Sequence, residues 1–471
     1  MSLSTEPRRE AARPAPPSNV PARSNRDLLA YRPVARFVRS RWYPGVFQWA
    51  AAAVFAVVVY QLLLGPDSAH ENLGTALVWV MWWPLIPIVF VALGRFWCAV
   101  CPFGKLSDLV QRLVGAQRPV PRFLKRYGIW IIDAQFIFIT WGDHVWGIVE
   151  SPWGTGILLL LLITAVVASG AFFQRRTFCR YLCFLGGLSG NYARTGALTL
   201  RANPDVCRTC TSRAVCFNGG DKAPACPLFE FPRTMDSSAN CNLCANCIKN
   251  CPNDAISVTV RKPSSELWFI RRPRVEESAL AMAIMGIVLI QNLTMLDIWT
   301  NTLSWIETTT GITNYPVIFT IAFVVAVAAP LAAVWTASVT AGRRNGEKAL
   351  TNFARFGYAL IPLDVAGHIA HNLFHLLAEG KSVFYTTLSL FGYDNQGASA
   401  ALVDHVTIQI LQYVVLAIGV AGSAYTAYRI ARAHHPKVAV RRATLTPYLV
   451  VVVVFAVANT VLFMLPMSMR M

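Results

Sequence analysis

The chain has 471 residues, is 55% hydrophobic and 14% charged, and has a mean hydropathy of +0.45. No soluble globular domain needs that much apolar sequence, so an ordinary soluble enzyme is excluded and several bilayer spans are expected. The net charge of +18 does not point to nucleic acid, because the basic residues sit in loops between apolar runs, where they set membrane orientation.

In chain order, residues 1–44 carry nine Arg among Pro, Ser and Ala without hydrophobic periodicity, which predicts a disordered basic cytoplasmic arm. Residues 45–199 form a first membrane module, with spans at 46–65, 74–94, 128–148 and 153–173. The loop between the first two holds Asp67 and Glu71 and no Lys or Arg, whereas residues 95–127 hold seven Lys/Arg and one Asp. That contrast places the N-terminus and the 95–127 loop on the cytoplasmic side of a bacterial inner membrane. Residues 200–262 are Cys-rich and predict a cytoplasmic ferredoxin domain of α+β type. Residues 275–466 form a second membrane module, with spans at 278–298, 316–340, 353–377, 404–428 and 445–465. The predicted fold is therefore mainly α and polytopic, with about nine spans and an inserted two-cluster domain. Trp141, Trp146, Trp153, Trp299 and Trp305 fall near the outer ends of spans, as an interfacial belt does.

All 12 Cys lie between residues 98 and 251. The run Cys241-x2-Cys244-x2-Cys247-x3-Cys251-Pro252 is the bacterial ferredoxin spacing, in which three close thiolates hold one cluster and the fourth reaches a neighbour. A second set stands upstream with stretched spacing: Cys207, Cys210, Cys216 and Cys226-Pro227. The crossed rule gives one [4Fe–4S] cluster to Cys207, Cys210, Cys216 and Cys251, and the other to Cys226, Cys241, Cys244 and Cys247. Structural zinc is the competing use of such thiols, but zinc prefers two separated pairs.

An internal repeat aligns Cys101-Pro-Phe-Gly-Lys-Leu-Ser with Cys183-Phe-Leu-Gly-Gly-Leu-Ser, each after a two-span hairpin and each preceded by a partner, Cys98 or Cys179. These four thiols suit a third cluster, a soft metal such as Cu(I), or redox dithiols, and the residues alone leave that choice open. In the second module Asp364, His368, His371 and His375 share one helical stripe, and His405, Gln409 and Gln412 form another. Ionisable groups in a span face a bundle interior or cavity, so the two stripes are expected to face each other in the outer half of the membrane. Such a pocket suits a bis-His b-type haem, a copper or other metal, or a quinone. The tail Met464-Leu-Pro-Met467-Ser-Met469-Arg-Met471 adds thioethers that suit Cu(I).

With its twin membrane Cys pairs, Cys98/Cys101-Pro102 and Cys179/Cys183, beside two ferredoxin runs, the segment from about 74 to 260 resembles the membrane-bound polyferredoxins of the NosR/NapH type. The resemblance extends to the oxidase accessory proteins linked to copper reduction. It departs in having Cys-x2-Cys-Pro in the first pair and Phe184 in place of Pro in the second. It implies membrane electron transfer and leaves the pathway unspecified. The expected function is an inner-membrane iron–sulfur electron-transfer protein working between a cytoplasmic redox donor or acceptor and a quinone, haem or metal site near the outer face. Its other partner is membrane lipid. A copper reductase or chaperone, and a redox-sensing assembly or regulatory factor, are the alternatives.

Overall fold

The computed structural model describes residues 27–212, 214–393 and 399–465. The remainder of the basic arm, residues 1–26, and the Met-rich tail from 466 onward lie outside the described residues. The principal helices are α1 (Arg32–Arg39), α2 (Gly45–Leu64), α3 (Trp83–Leu93), α4 (Pro102–Val114), α5 (Arg122–Trp146), α6 (Pro152–Phe172) and α7 (Phe184–Ala193). After an antiparallel pair of strands, β1 (Leu198–Ala202) and β2 (Ile256–Val260), come α8 (Val275–Thr294), α9 (Tyr315–Asn345), α10 (Ile361–Ala378), α11 (His405–His434) and α12 (Val438–Met464). Sequence punctuation sets their ends. Ser151 Oγ accepts from Gly154 N (3.0 Å) just before Pro152 opens α6, and Asp404 Oδ2 accepts from Thr407 N (3.0 Å) at the start of α11. Gly147 and Gly346, both at positive φ, stop α5 and α9.

Among the described residues, seven helical stretches are long and apolar enough to cross a membrane. The expected spans at 128–148 and 353–377 are also helical, as parts of α5 and α10. They fall outside those seven because they are polar: α5 carries Asp133, Asp143 and His144, and α10 carries Asp364 and three His. α10 is buried along nearly its whole length, against α11, α3 and α8. A polar helix is tolerated there because its neighbours, rather than lipid, surround it.

The two membrane modules share one core. α8 is the central pillar, contacting α5 and α7 of the first module and α9, α10 and α12 of the second. Its side chains join Ile86, Phe90, Phe136, Leu188 and Tyr192 to Phe319, Phe323, Leu363 and Leu416 in a continuous apolar cluster. Small residues permit the closest approaches. A Cβ on Gly286 would meet the backbone of Ala326 on α9, and one on Gly419 would meet Ala366 on α10.

The Cys-rich insert, expected to be a ferredoxin domain, sits at one end of the bundle on the β1–β2 ribbon, with Leu198 opposite Val260 and Ala202 opposite Ile256. It includes short helices at Pro204–Arg208, Val215–Asn218 and Asn246–Asn250. The disorder expected through residue 44 gives way here, because residues 27–44 have partners on the insert. Asp27 bridges to Thr259, and its Oδ1 accepts from Val258 N (3.1 Å). Tyr43 donates to Leu243 O (2.6 Å), Lys249 Nζ donates to Tyr43 O (2.5 Å), and Arg39 pairs with Asp254 (2.9 Å). Composition alone could not register these long-range bonds.

Candidate redox sites

All 12 Cys are free thiols, and they gather into three groups of four. In the first, Cys207 lies on a helix capped by Asn203, whose Oδ1 accepts from Asp205 N (3.0 Å), and Cys216 lies on the Val215–Asn218 turn. Cys251 follows the Asn246–Asn250 helix. The charges of Cys207, Cys210 and Cys251 all act on Cys216. In the second group, the charges of Cys226, Cys241 and Cys244 all act on Cys247. Cys251 thus lies with the first group and Cys226 with the second, and the charge of Cys216 also reaches Cys247, an arrangement that brings the two groups together. Asn250 enforces it, accepting from Ala223 N (3.1 Å) and donating to Ala223 O (2.7 Å), which ties the loop before Cys226 to the helix after Cys247.

Burial, with neighbouring thiols adding to it, pushes Cys241 up to about 12 and Cys216 up to about 11. Cys244 also rises to about 11, from burial first and Cys226 second. Cys210, at the surface, is instead lowered by hydrogen bonding to Ser212. Buried thiols so close together cannot all ionise without a compensating cation, and that donor set fits iron–sulfur clusters, whose binding displaces the protons. Bound there, such clusters supply one-electron carriers.

The third group lies where the insert meets the bundle. Cys101 and Cys183 cap the starts of α4 and α7, and Cys98 and Cys179 lie on the short turns before them. All four line one cavity of about 100 Å³, with Trp79, Trp82 and Trp83 on its wall. The sequence reading missed two buried arginines that repeat with these pairs, Arg95 and Arg176, each three residues before the first Cys of its pair. That equal offset was the available signal. Arg95 Nε donates to Cys98 Sγ (3.4 Å), and its Nη1 donates to Ala239 O (2.5 Å) in the insert. Arg176 makes a two-pronged bond to Asp108 (3.0 and 2.7 Å), donates to Cys98 O (2.8 Å), and its charge interacts with both Cys179 and Cys244. Arg176 thus stands between the second and third groups.

Toward the opposite end of the bundle a larger cavity, of about 790 Å³, opens between the modules and shares Trp79, Trp83, Asp143 and Gln291 with the Cys-lined one. It is lined by His371, His375 and His405 as expected, and also by His70, His144, Glu150 and Glu379. His371 Nδ1 donates to Asn292 Oδ1 (2.9 Å), and His144 stacks on Phe319 with ring centroids 4.7 Å apart. His375 Nδ1 lies 3.6 Å from Glu379 Oε1. His368 is not on this wall. Its Nδ1 meets the Tyr192 hydroxyl (3.0 Å), its ring lies 5.8 Å from that of Trp83, and Tyr192 also interacts with Asp364. The two expected stripes meet only in part: Gln412 donates to Ala370 O on α10 (2.9 Å), whereas Gln409 turns to Phe463 O on α12 (2.8 Å). Among the described residues, no three His, Cys, Asp or Glu side chains already converge as a single-ion cage.

The family comparison falls on the first membrane module. Residues 75–121 and 155–201 each match a family described as a 4Fe-4S binding domain. Each match contains the second span of its hairpin and one Cys pair, so the repeated Cys-bearing part is two copies of that domain. A protein of Escherichia coli (strain K12), named as a proposed electron transport protein, YccM, is 24% identical over 247 residues. The match covers 47% of this chain and 65% of that relative, so the chain spans less than two thirds of the relative's length. No solved structure matches. Fold and comparisons together define the class: a helical membrane protein with two matches to a 4Fe-4S binding domain, similar at family level to the NosR/NapH-type polyferredoxins.

Proposed function

We propose that this protein carries electrons across the bacterial inner membrane between a cytoplasmic redox partner and the His-lined outer cavity. The observation that carries the reading is the row of sites. Cys207, Cys210, Cys216 and Cys251 stand toward the solvent face of the insert. Cys226, Cys241, Cys244 and Cys247 come next, and then Cys98, Cys101, Cys179 and Cys183, whose cavity shares a wall with the outer one. The first two groups would each hold a [4Fe–4S] cluster. The third would hold another, a reading favoured over copper because the two 4Fe-4S domain matches fall on those Cys pairs.

The surrounding residues have defined parts. Arg95 and Arg176 bring positive charge to the thiols in a dry setting, and Arg95 ties the insert to the bundle through Ala239. Trp83 closes the gap between the Cys-lined cavity and His368. At the outer cavity, imidazoles beside Glu379, Glu150 and Asp143 can bind an organic oxidant or reductant such as a quinone, or a metal or haem iron, and exchange its protons with the outer water. The test is a His371→Ala/His405→Ala double variant in vesicles with a reductant on one side and an acceptor on the other. Transmembrane electron flow should fall at least about tenfold while the low-temperature EPR signals of the insert are unchanged. Undiminished flow would remove the outer cavity from the route.

A further inference from the structure

The outermost thiol of the row is Cys210, and its surroundings are basic. Cys210 Sγ accepts from Asn253 Nδ2 (3.4 Å), and the next residue, Asp254, pairs with Arg39 of α1 (2.9 Å). Arg39 ends a stripe of Arg32, Arg36 and Arg39 at i, i+4 and i+7, all exposed, so one face of α1 runs outward from the Cys210 rim as a line of positive charge. On the rim itself Arg233 is exposed, and its charge acts on both Cys207 and Cys210. Arg208 is exposed beside Cys207 and pairs with Asp205. Five arginines thus face two aspartates. The second Cys group packs against the insert's own core and the third lies within the bundle, which leaves this rim as the approach to the row.

We infer that the Cys210 rim, with α1 as its basic flank, is the docking surface for an acidic electron-carrier protein. This rests on the reading that electrons pass through the Cys groups. A positive rim around an exposed redox site attracts a negative partner from a distance and orients it, raising the encounter rate far more than the final affinity. The same charge repels a basic carrier. α1 is held on the insert by Arg39–Asp254, by Tyr43–Leu243 and by the Asp27 bridge, so its charges keep a fixed place relative to Cys210. An anionic lipid surface is the rival occupant of a basic helix next to a membrane span. The line of contacts from α1 through Asp254 and Asn253 to the Cys210 thiol favours the carrier.

The test uses the whole protein in nanodiscs of zwitterionic lipid, with a small acidic ferredoxin and a basic cytochrome c as probes. Electron exchange with the acidic probe should be fast at low salt and fall about tenfold or more as ionic strength rises to physiological levels. Charge reversal in Arg32→Glu/Arg36→Glu/Arg233→Glu should slow it by a similar factor at low salt and flatten the salt dependence. Equal rates with both probes, or a reversal variant that reacts like the parent, would overturn the proposal. Retention of carrier exchange with loss of binding to anionic vesicles would assign α1 to lipid instead. Reduction by dithionite, followed by EPR, reads the Cys groups without any carrier. If those signals are absent the electron-transfer reading itself has failed, and if they are present only the docking surface is in question.

Discussion

The ferredoxin insert and the outer cavity both bring ligating side chains together from separate places, but by different means. The eight Cys of the insert come from one stretch of about fifty residues, and a few local devices, such as the Asn250–Ala223 bonds, are enough to cross the two runs. The five His of the outer cavity come from four separate segments: the loop before α3, then α5, α10 and α11. Spacing along the chain therefore encodes the first site, whereas helix packing around α8 builds the second. It follows that the insert should tolerate loosening of the bundle better than the outer cavity does, while loss of one Cys should be felt locally and sharply.

The largest expected effect tests that locality. Cys247→Ser should cost about four iron atoms per chain and the EPR signal of one cluster, leaving the other insert signal in place. Loss of both signals would show that the crossed groups fold as one unit. Next comes the buried pair beside the membrane Cys pairs. Arg176→Ala removes a 4% exposed Arg from Asp108, which is itself 30% exposed and can be partly hydrated, so the cost falls below the about 3–5 kcal/mol of a fully buried pair. Thermal unfolding of the purified protein should register it as a lower midpoint. A midpoint within a degree of the parent would mean that the pair contributes little to stability.

The smallest effect is a pH dependence confined to the insert. Burial raises the Glu230 carboxyl to about 7, so the folded state holds its proton more tightly than the unfolded chain. Stability then falls as pH rises from the ordinary Glu range near 4.5 and levels off above about 7. Glu230→Gln should flatten that slope, measured as the unfolding midpoint of the insert signals between pH 5 and 8. An unchanged slope would place the titration elsewhere.

Much of this was legible in the sequence. The twin Cys pairs, on which the two 4Fe-4S domain matches fall, and the meeting of α10 with α11 follow from spacing and period. What was not legible has physical reasons. His368 shares the stripe of His371 and His375, but periodicity fixes a face and not a depth, and at its depth it meets Tyr192 and Trp83 instead of the cavity. His70 and His144 are single residues in separate segments, with no pattern to mark them. Residues 27–44 look disordered by composition and are held by bonds spanning about two hundred residues of sequence. Arg95 and Arg176 resemble loop cations and are buried, since a positive charge beside thiolates is worth its desolvation.

The most direct test of the account is iron, inorganic sulfide, zinc and copper analysis of the detergent-purified protein, joined to low-temperature EPR after reduction. The account predicts iron and sulfide in equal amounts, little zinc or copper, and magnetically interacting cubane signals from the insert. Zinc in the Cys groups with no iron and no reducible signal would contradict it.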